Sequence, residues 1–176
     1  MYEGLFLRAV VGFESFCETL FFEILDGKLE YSSRKIECKI KCKSMSKKSL
    51  RELVFQGKYF DWLSLQKNKE RFLWYVSKRG RTPICGRPFL EVDESHNGKL
   101  KTIVRIRNAI THSSDHAIGE FNRKVLNQNL LPNERTPASF LRSQISNSPR
   151  QVRFETYLGD LGSIATVIFG SPHRTS

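Results

Sequence analysis

Apolar side chains recur along this chain at the spacing of α-helices. Phe6, Val10, Phe13, Cys17, Leu20 and Ile24 follow one another by 4, 3, 4, 3 and 4 positions, the stripe of one helical face. Phe16, Phe21 and Phe22 widen that stripe, so the spacing predicts a helix buried on more than one side, closed by a turn at Asp26-Gly27. Ser49-x-x-Glu52 has the form of a capping box and predicts a short helix ending near Gly57. Trp62, Leu65, Phe72, Leu73 and Val76 predict another from about Tyr59 to Lys78, stopped by Gly80.

A basic loop rich in Gly and Pro follows, from Arg79 to Pro88. Leu100, Ile103, Ile106 and Ile110 predict a helix over 91–112. Ser114 or Asp115 can cap the next, with Ala117, Phe121, Val125 and Leu126 inward. Residues 130–149, with three prolines, predict an irregular connection. A last helix over about 150–169 buries Tyr157, Leu161, Ile164 and Ile168, again at 4, 3 and 4.

One segment breaks the helical rhythm. Ile36, Cys38, Ile40 and Cys42 alternate with Lys35, Glu37, Lys39, Lys41 and Lys43, and a period of two predicts a strand or extended arm near 35–43. Such an arm either tracks a phosphate backbone, with Lys39, Lys41 and Lys43 as mobile charges, or is an ordinary solvated edge. The whole predicts an all-α fold, an antiparallel bundle of four to six helices. It reads as a single domain over 1–176, with a core of about 5–125 joined by the C-terminal helix.

Charge narrows the partners. The 176 residues carry a formal charge of +11, and residues 28–51 alone hold nine Lys/Arg against two Glu. That balance favours a polyanion, either nucleic acid or an anionic membrane surface, although a basic excess also serves solubility. The apolar start is interrupted by Arg8, Glu14, Glu18 and Glu23, so neither a signal peptide nor a membrane span is expected. Cys17, Cys38, Cys42 and Cys85 stand in a chain large enough to need no disulfide staples, which suits a reducing cytoplasm. Cys38 and Cys42 lack two further ligands at suitable spacing, so no metal or other cofactor is expected.

The candidate chemistry lies in Arg107-Asn-Ala-Ile-Thr-His112. A guanidinium matches the geometry of a phosphoryl group and stays charged; an imidazole exchanges protons near neutrality. The pattern by itself is weak, and a buried helix carrying a stray Arg and His is the plain alternative. Its context adds weight. Leu100-Lys-Thr-Ile-Val-Arg-Ile-Arg-Asn-Ala-Ile-Thr-His-Ser-Ser-Asp-His-Ala resembles the signature helix of HEPN domains, helical bundles that carry Arg-x(4–6)-His, often with Asn directly after the Arg. Gly12-Phe-Glu-Ser-Phe-Cys-Glu-Thr-Leu20 is similar to the first helix of the RiboL-PSP-HEPN type. The resemblance covers roughly residues 5–125.

The resemblance implies a metal-independent endoribonuclease that acts as a homodimer, with both Arg–His pairs in one cleft at the interface. It also implies a toxin or antiphage-defence effector, with an antitoxin or defence partner. On it, Arg107 and His112 match the catalytic pair and Asn108 the residue that orients it. One toxin branch has a Tyr two residues after the His as a modification target; Ser114 stands there, which puts that regulation in doubt. Arg105 fits the looser spacing. His116 is an accessory proton carrier or a surface histidine, and Glu14 a polar accessory or a solvated edge residue. Arg105, Arg79, Arg81 and Arg87 join the lysine arm as candidate RNA contacts. The alternative function is a HEPN-like module that binds RNA or protein without cutting. Ideal helical geometry sets Arg107 and His112 about 140° apart, so they converge only through an irregular turn near Thr111 or across a dimer interface.

Overall fold

A computed structural model of the chain describes residues 1–26, 30–31, 34–35, 38, 45–56, 60–76, 89–126, 130–147 and 149–169. These residues form seven α-helices and two short antiparallel hairpins, so the chain is mostly helical. The chain falls into two compact units, Met1–Glu14 with Asp93–Ile164 and Ser15–Val92 with Ala165–Ser176. Helix α1 (Tyr2–Leu25) and helix α7 (Arg153–Phe169) each contribute to both. No helix among the described residues is long and apolar enough to cross a membrane.

The first unit is built on helix α4 (Glu94–His112), helix α5 (Asp115–Lys124) and helix α6 (Pro137–Arg142). Asp93 caps α4, its carboxylate accepting from the His96 N–H at 2.9 Å, so the helix starts three residues later than its periodicity predicts. Leu100, Ile103 and Ile106 are buried as expected, while Ala109 and not Ile110 completes the inward row. Ser114 caps α5 and sends Ala117 and Phe121 inward. Phe121 meets Phe140 of α6 edge to face at 5.5 Å. The phenol of Tyr157 on α7 lies edge-on to Phe6, and burial pushes its pKa up to about 12.

Residues 130–149 are not the irregular connection that three prolines suggest. Pro132–Glu134 makes one 3-10 turn, α6 follows, and strand β3 (Gln144–Asn147) pairs with strand β4 (Arg150–Val152). Pro137 sits at the start of α6 behind the Thr136 cap, where a missing N–H costs no hydrogen bond. The proline opens a helix there, and Phe140 and Leu141 are buried by it.

In the second unit, strand β1 (Glu30–Tyr31) pairs with strand β2 (Arg34–Lys35), and Cys38 bridges Val76. The rest of the expected arm at 35–43 lies outside the described residues. Helix α2 (Lys47–Phe55) is capped by Ser46 and not by Ser49. The Ser46 hydroxyl accepts from the Ser49 N–H at 3.1 Å, which puts Ser49 inside the first turn. Helix α3 (Leu65–Tyr75) begins six residues later than predicted. Asp61 turns its carboxylate onto the Leu63 N–H at 3.1 Å, a local bond that competes with helix. Phe21, Trp62, Phe72 and Phe89 form the aromatic core of this unit.

Candidate functional site

The signature residues all lie on the last two turns of α4, in the first unit. The helix remains regular through Thr111 and His112, so of the two routes to convergence an irregular turn at Thr111 is not the one this helix takes. Thr111 Oγ1 donates to the Arg107 carbonyl at 2.9 Å, a bond characteristic of continued helix. The break comes one residue later, at Ser113, whose φ of 45° is left-handed. Ser114 then caps α5 at once, and the chain turns a corner with His112 exposed at its edge.

Regular helix fixes what faces what. At about 100° per residue, Asn108 stands about 40° from His112 and Arg105 about 20° from it, whereas Arg107 leaves the backbone about 140° away. The guanidinium of Arg107 reverses part of that separation. Its Nη1 donates to Asn108 Oδ1 at 3.1 Å, so the charge reaches round toward the side that Asn108 shares with His112. Among the described residues no hydrogen bond joins Arg107 to His112. Arg107 and Asn108 are half-buried, which leaves donors facing solvent.

Arg105 has a partner on α5. Its Nε lies 3.7 Å from Glu120 Oε2, and Arg123 Nη2 holds the other oxygen of the same carboxylate at 2.7 Å. The hydrogen bond from Arg123 holds the Glu120 carboxyl below its ordinary pKa, opposed by slight desolvation and helped by the charges of Arg123, Arg105 and His116. His116 is an exposed histidine in the first turn of α5, one turn before Glu120. Glu14 is half-buried on α1 in the same unit. Lys39, Lys41, Lys43, Arg79, Arg81 and Arg87 lie outside the described residues.

Among the described residues the site is an open charged corner, with His112 exposed. A groove in the first unit is lined by Ile118, Phe121, Asn122, Arg135 and Pro137 among others, none of them a signature residue. A cavity in the second unit is lined by Glu18, Phe22, Glu23, Asp26 and Arg51 among others, with Glu18 already ion-paired to Arg51. No group of three or more His, Cys, Asp or Glu among the described residues is placed to hold a metal ion. What the α4 corner offers is an anion-binding guanidinium, a carboxamide that orients it and an exposed imidazole.

Two residues of interest carry no motif. Glu120 is visible only once α4 and α5 are packed together, because its partner Arg105 is fifteen positions away in sequence. Trp74 stands two positions after Phe72 on α3 and is exposed; a helical wheel drawn through Leu65 and Phe72 places it outward. Comparison with protein families, curated proteins and solved structures finds no match to this chain.

Proposed function

We propose that this chain is a metal-independent endoribonuclease of the HEPN type, an antiparallel helical bundle serving in the cytoplasm as a toxin or antiphage-defence effector. The observation that carries the reading is the hydrogen bond from Arg107 to Asn108, one turn before an exposed His112. It turns the Arg107 guanidinium toward the side of α4 that Asn108 shares with His112, which supports a phosphate-binding cation and a proton carrier working at one helix end. In the proposed reaction the RNA 2′-hydroxyl attacks the adjacent phosphorus, the bond to the 5′-oxygen breaks, and a 2′,3′-cyclic phosphate remains. His112 takes the 2′-OH proton or protonates the leaving oxygen, work worth about 10²–10⁴-fold. Arg107 clamps the phosphate and meets the charge that accumulates on its oxygens.

Acid and base are both wanted in one turnover, and one corner supplies one exposed imidazole from the motif. A homodimer that joins two such corners would supply both, which is the physical reason to propose an RNA-cutting dimer. The test is cleavage of a long single-stranded RNA in EDTA. Wild-type protein should cut it, and His112→Ala should lose at least about 10²-fold in rate while keeping its helical circular dichroism and RNA affinity.

The second reading, a HEPN-like module that binds RNA or a partner protein without cutting, is favoured by one specific observation. Arg107 and His112 leave the helix on different sides, and no bond joins them among the described residues. Wild-type protein that binds RNA yet never nicks it, with His112→Ala indistinguishable from it, would decide for this reading.

A further inference from the structure

Helix α3 turns Leu65, Asn68 and Phe72 inward. Trp74 follows Phe72 by two positions, about 200° round the helix, and is 78% exposed. The chain's other tryptophan, Trp62, is 4% exposed. Leaving an indole in water forgoes more apolar burial than leaving out almost any other side chain, and tryptophan is enriched at interfaces. The exposure is set by regular helix and not by a fraying end, since the next residue's ring packs on Phe21 at 5.9 Å and Val76 is fully buried.

The surroundings indicate what Trp74 meets. Lys67 is exposed about 20° from Trp74 and two turns earlier, about 10.5 Å along the axis. Glu70, between them, accepts from Gln66 Nε2 at 2.8 Å. Arg71 is drawn off this face onto the Phe60 ring, 3.4 Å from its centroid. Residues 65–76 hold three basic residues against one acidic, in a chain whose formal charge is +11. A flat π-face within so basic a stretch matches a partner that is both polyanionic and aromatic. Nucleic acid has both properties, and only a single strand leaves its base faces free to stack; a duplex buries them against each other.

We propose that Trp74 is a stacking platform for a base of single-stranded RNA, with Lys67 contacting a phosphate of the same strand. This goes beyond the α4 corner and requires no cleavage. Only the choice of RNA as the polyanion rests on the ribonuclease reading.

The test uses the full chain and a fluorescein-labelled, 2′-O-methyl-substituted 12-mer, which has no free 2′-OH and cannot be cut by the proposed chemistry. Trp74→Ala should bind it about five- to hundredfold more weakly, the range for one base–aromatic stack. Trp74→Phe should keep most of the affinity, while Trp74→Leu, apolar but unable to stack, should behave like Ala. With Trp62→Phe, Trp74 is the sole tryptophan, and its fluorescence should be quenched by the 12-mer but not by a duplex of equal length. Lys67→Gln should lower the salt slope of binding by roughly 0.7.

Equal affinity of Trp74→Ala and wild type, or an unquenched Trp74 at saturation, overturns the proposal and leaves a protein as the partner of this face. That result leaves the ribonuclease reading standing, because cleavage of unmodified RNA is scored separately. Wild-type protein that binds no single-stranded oligonucleotide removes the RNA partner from both.

Discussion

Arg71 on α3 and Arg107 on α4 carry the same guanidinium on two regular helices, and their surroundings assign them opposite work. Arg71 Nη1 donates to the Asp61 carbonyl at 3.3 Å and to Asn68 Oδ1 at 3.1 Å, and its plane lies over the Phe60 ring. Burial pulls its pKa below the ordinary arginine value, against the opposing charges of Asp61 and Glu70. Asn68, fully buried, passes the connection on by donating to the Trp62 carbonyl at 2.6 Å. This arginine ties the 61–63 turn to the helix that follows it. The Arg107 guanidinium, by contrast, makes one hydrogen bond among the described residues, to the side chain of its own neighbour Asn108. A guanidinium has five N–H donors in a planar fork. What separates a structural arginine from one ready for a phosphate is how many of those donors the fold has already engaged.

The comparison is broken most sharply at the candidate site. Arg107→Ala should slow RNA cleavage by about 10²–10³-fold, the cost of removing one donor from a charge that develops in the transition state, with the thermal midpoint little changed. Arg105→Ala should weaken RNA binding and slow cleavage less than about tenfold, since its charge is already partnered by Glu120, a carboxylate it shares with Arg123. Single-turnover rates at saturating RNA, set beside affinities, separate the two. The reverse order would move the proposed catalytic role from Arg107 to Arg105, which shares the side of α4 that His112 occupies.

Helices with an unbroken apolar stripe were legible from the chain alone. The 4-3-4 spacing from Phe6 to Ile24 marks α1, which starts four residues earlier at Tyr2, and the same spacing marks α7, whose first three expected residues form β4 instead. Boundaries failed where a side chain intervened. Asp61 delays α3 by bonding the Leu63 N–H, and Ser46 takes the cap that the Ser49-x-x-Glu52 pattern offered. α6 was hidden because a proline reads as a breaker until a Thr cap precedes it. At the site, the three motif residues are readable, but their facing depends on where α4 stops. That stop is a left-handed Ser113, with no glycine to announce it. The pairing of Arg105 with Glu120 is tertiary, and no local pattern encodes it.

The opposite arm of the comparison is tested by stability. Arg71→Ala should cost about 2 kcal/mol in urea unfolding, from two hydrogen bonds of a charged donor and a cation–π contact at a half-buried position. It also leaves Asn68 Oδ1 without its donor. Arg71→Lys keeps the charge but not the planar fork, so it should recover less than half of the loss. A cost below about 0.5 kcal/mol, within the usual range of surface changes, would place Arg71 with the uncommitted arginines and erase the distinction drawn above.

The smallest effect concerns Arg105, which stands between these extremes because it shares one carboxylate with Arg123. Glu120 has its pKa lowered in the folded chain from an ordinary 4.5, first by the Arg123 hydrogen bond and then by the charges around it. A carboxyl whose folded value is depressed adds stability that is fully present above its unfolded value and is lost as pH falls through the folded one. The stability difference between wild type and Glu120→Gln should therefore be constant from pH 7 down to about 5. Below pH 4.5 it should shrink and vanish, a window set by Glu120 against Arg105, Arg123 and His116. The carboxylate is in contact with solvent on a half-buried side chain, so the amplitude is modest and high salt should reduce it further. Urea unfolding of both proteins across pH 3–7 at two salt concentrations measures it. A difference that persists unchanged at pH 3 would mean that Glu120 supports the fold through its shape, and that Arg105 is as free to meet a phosphate as Arg107.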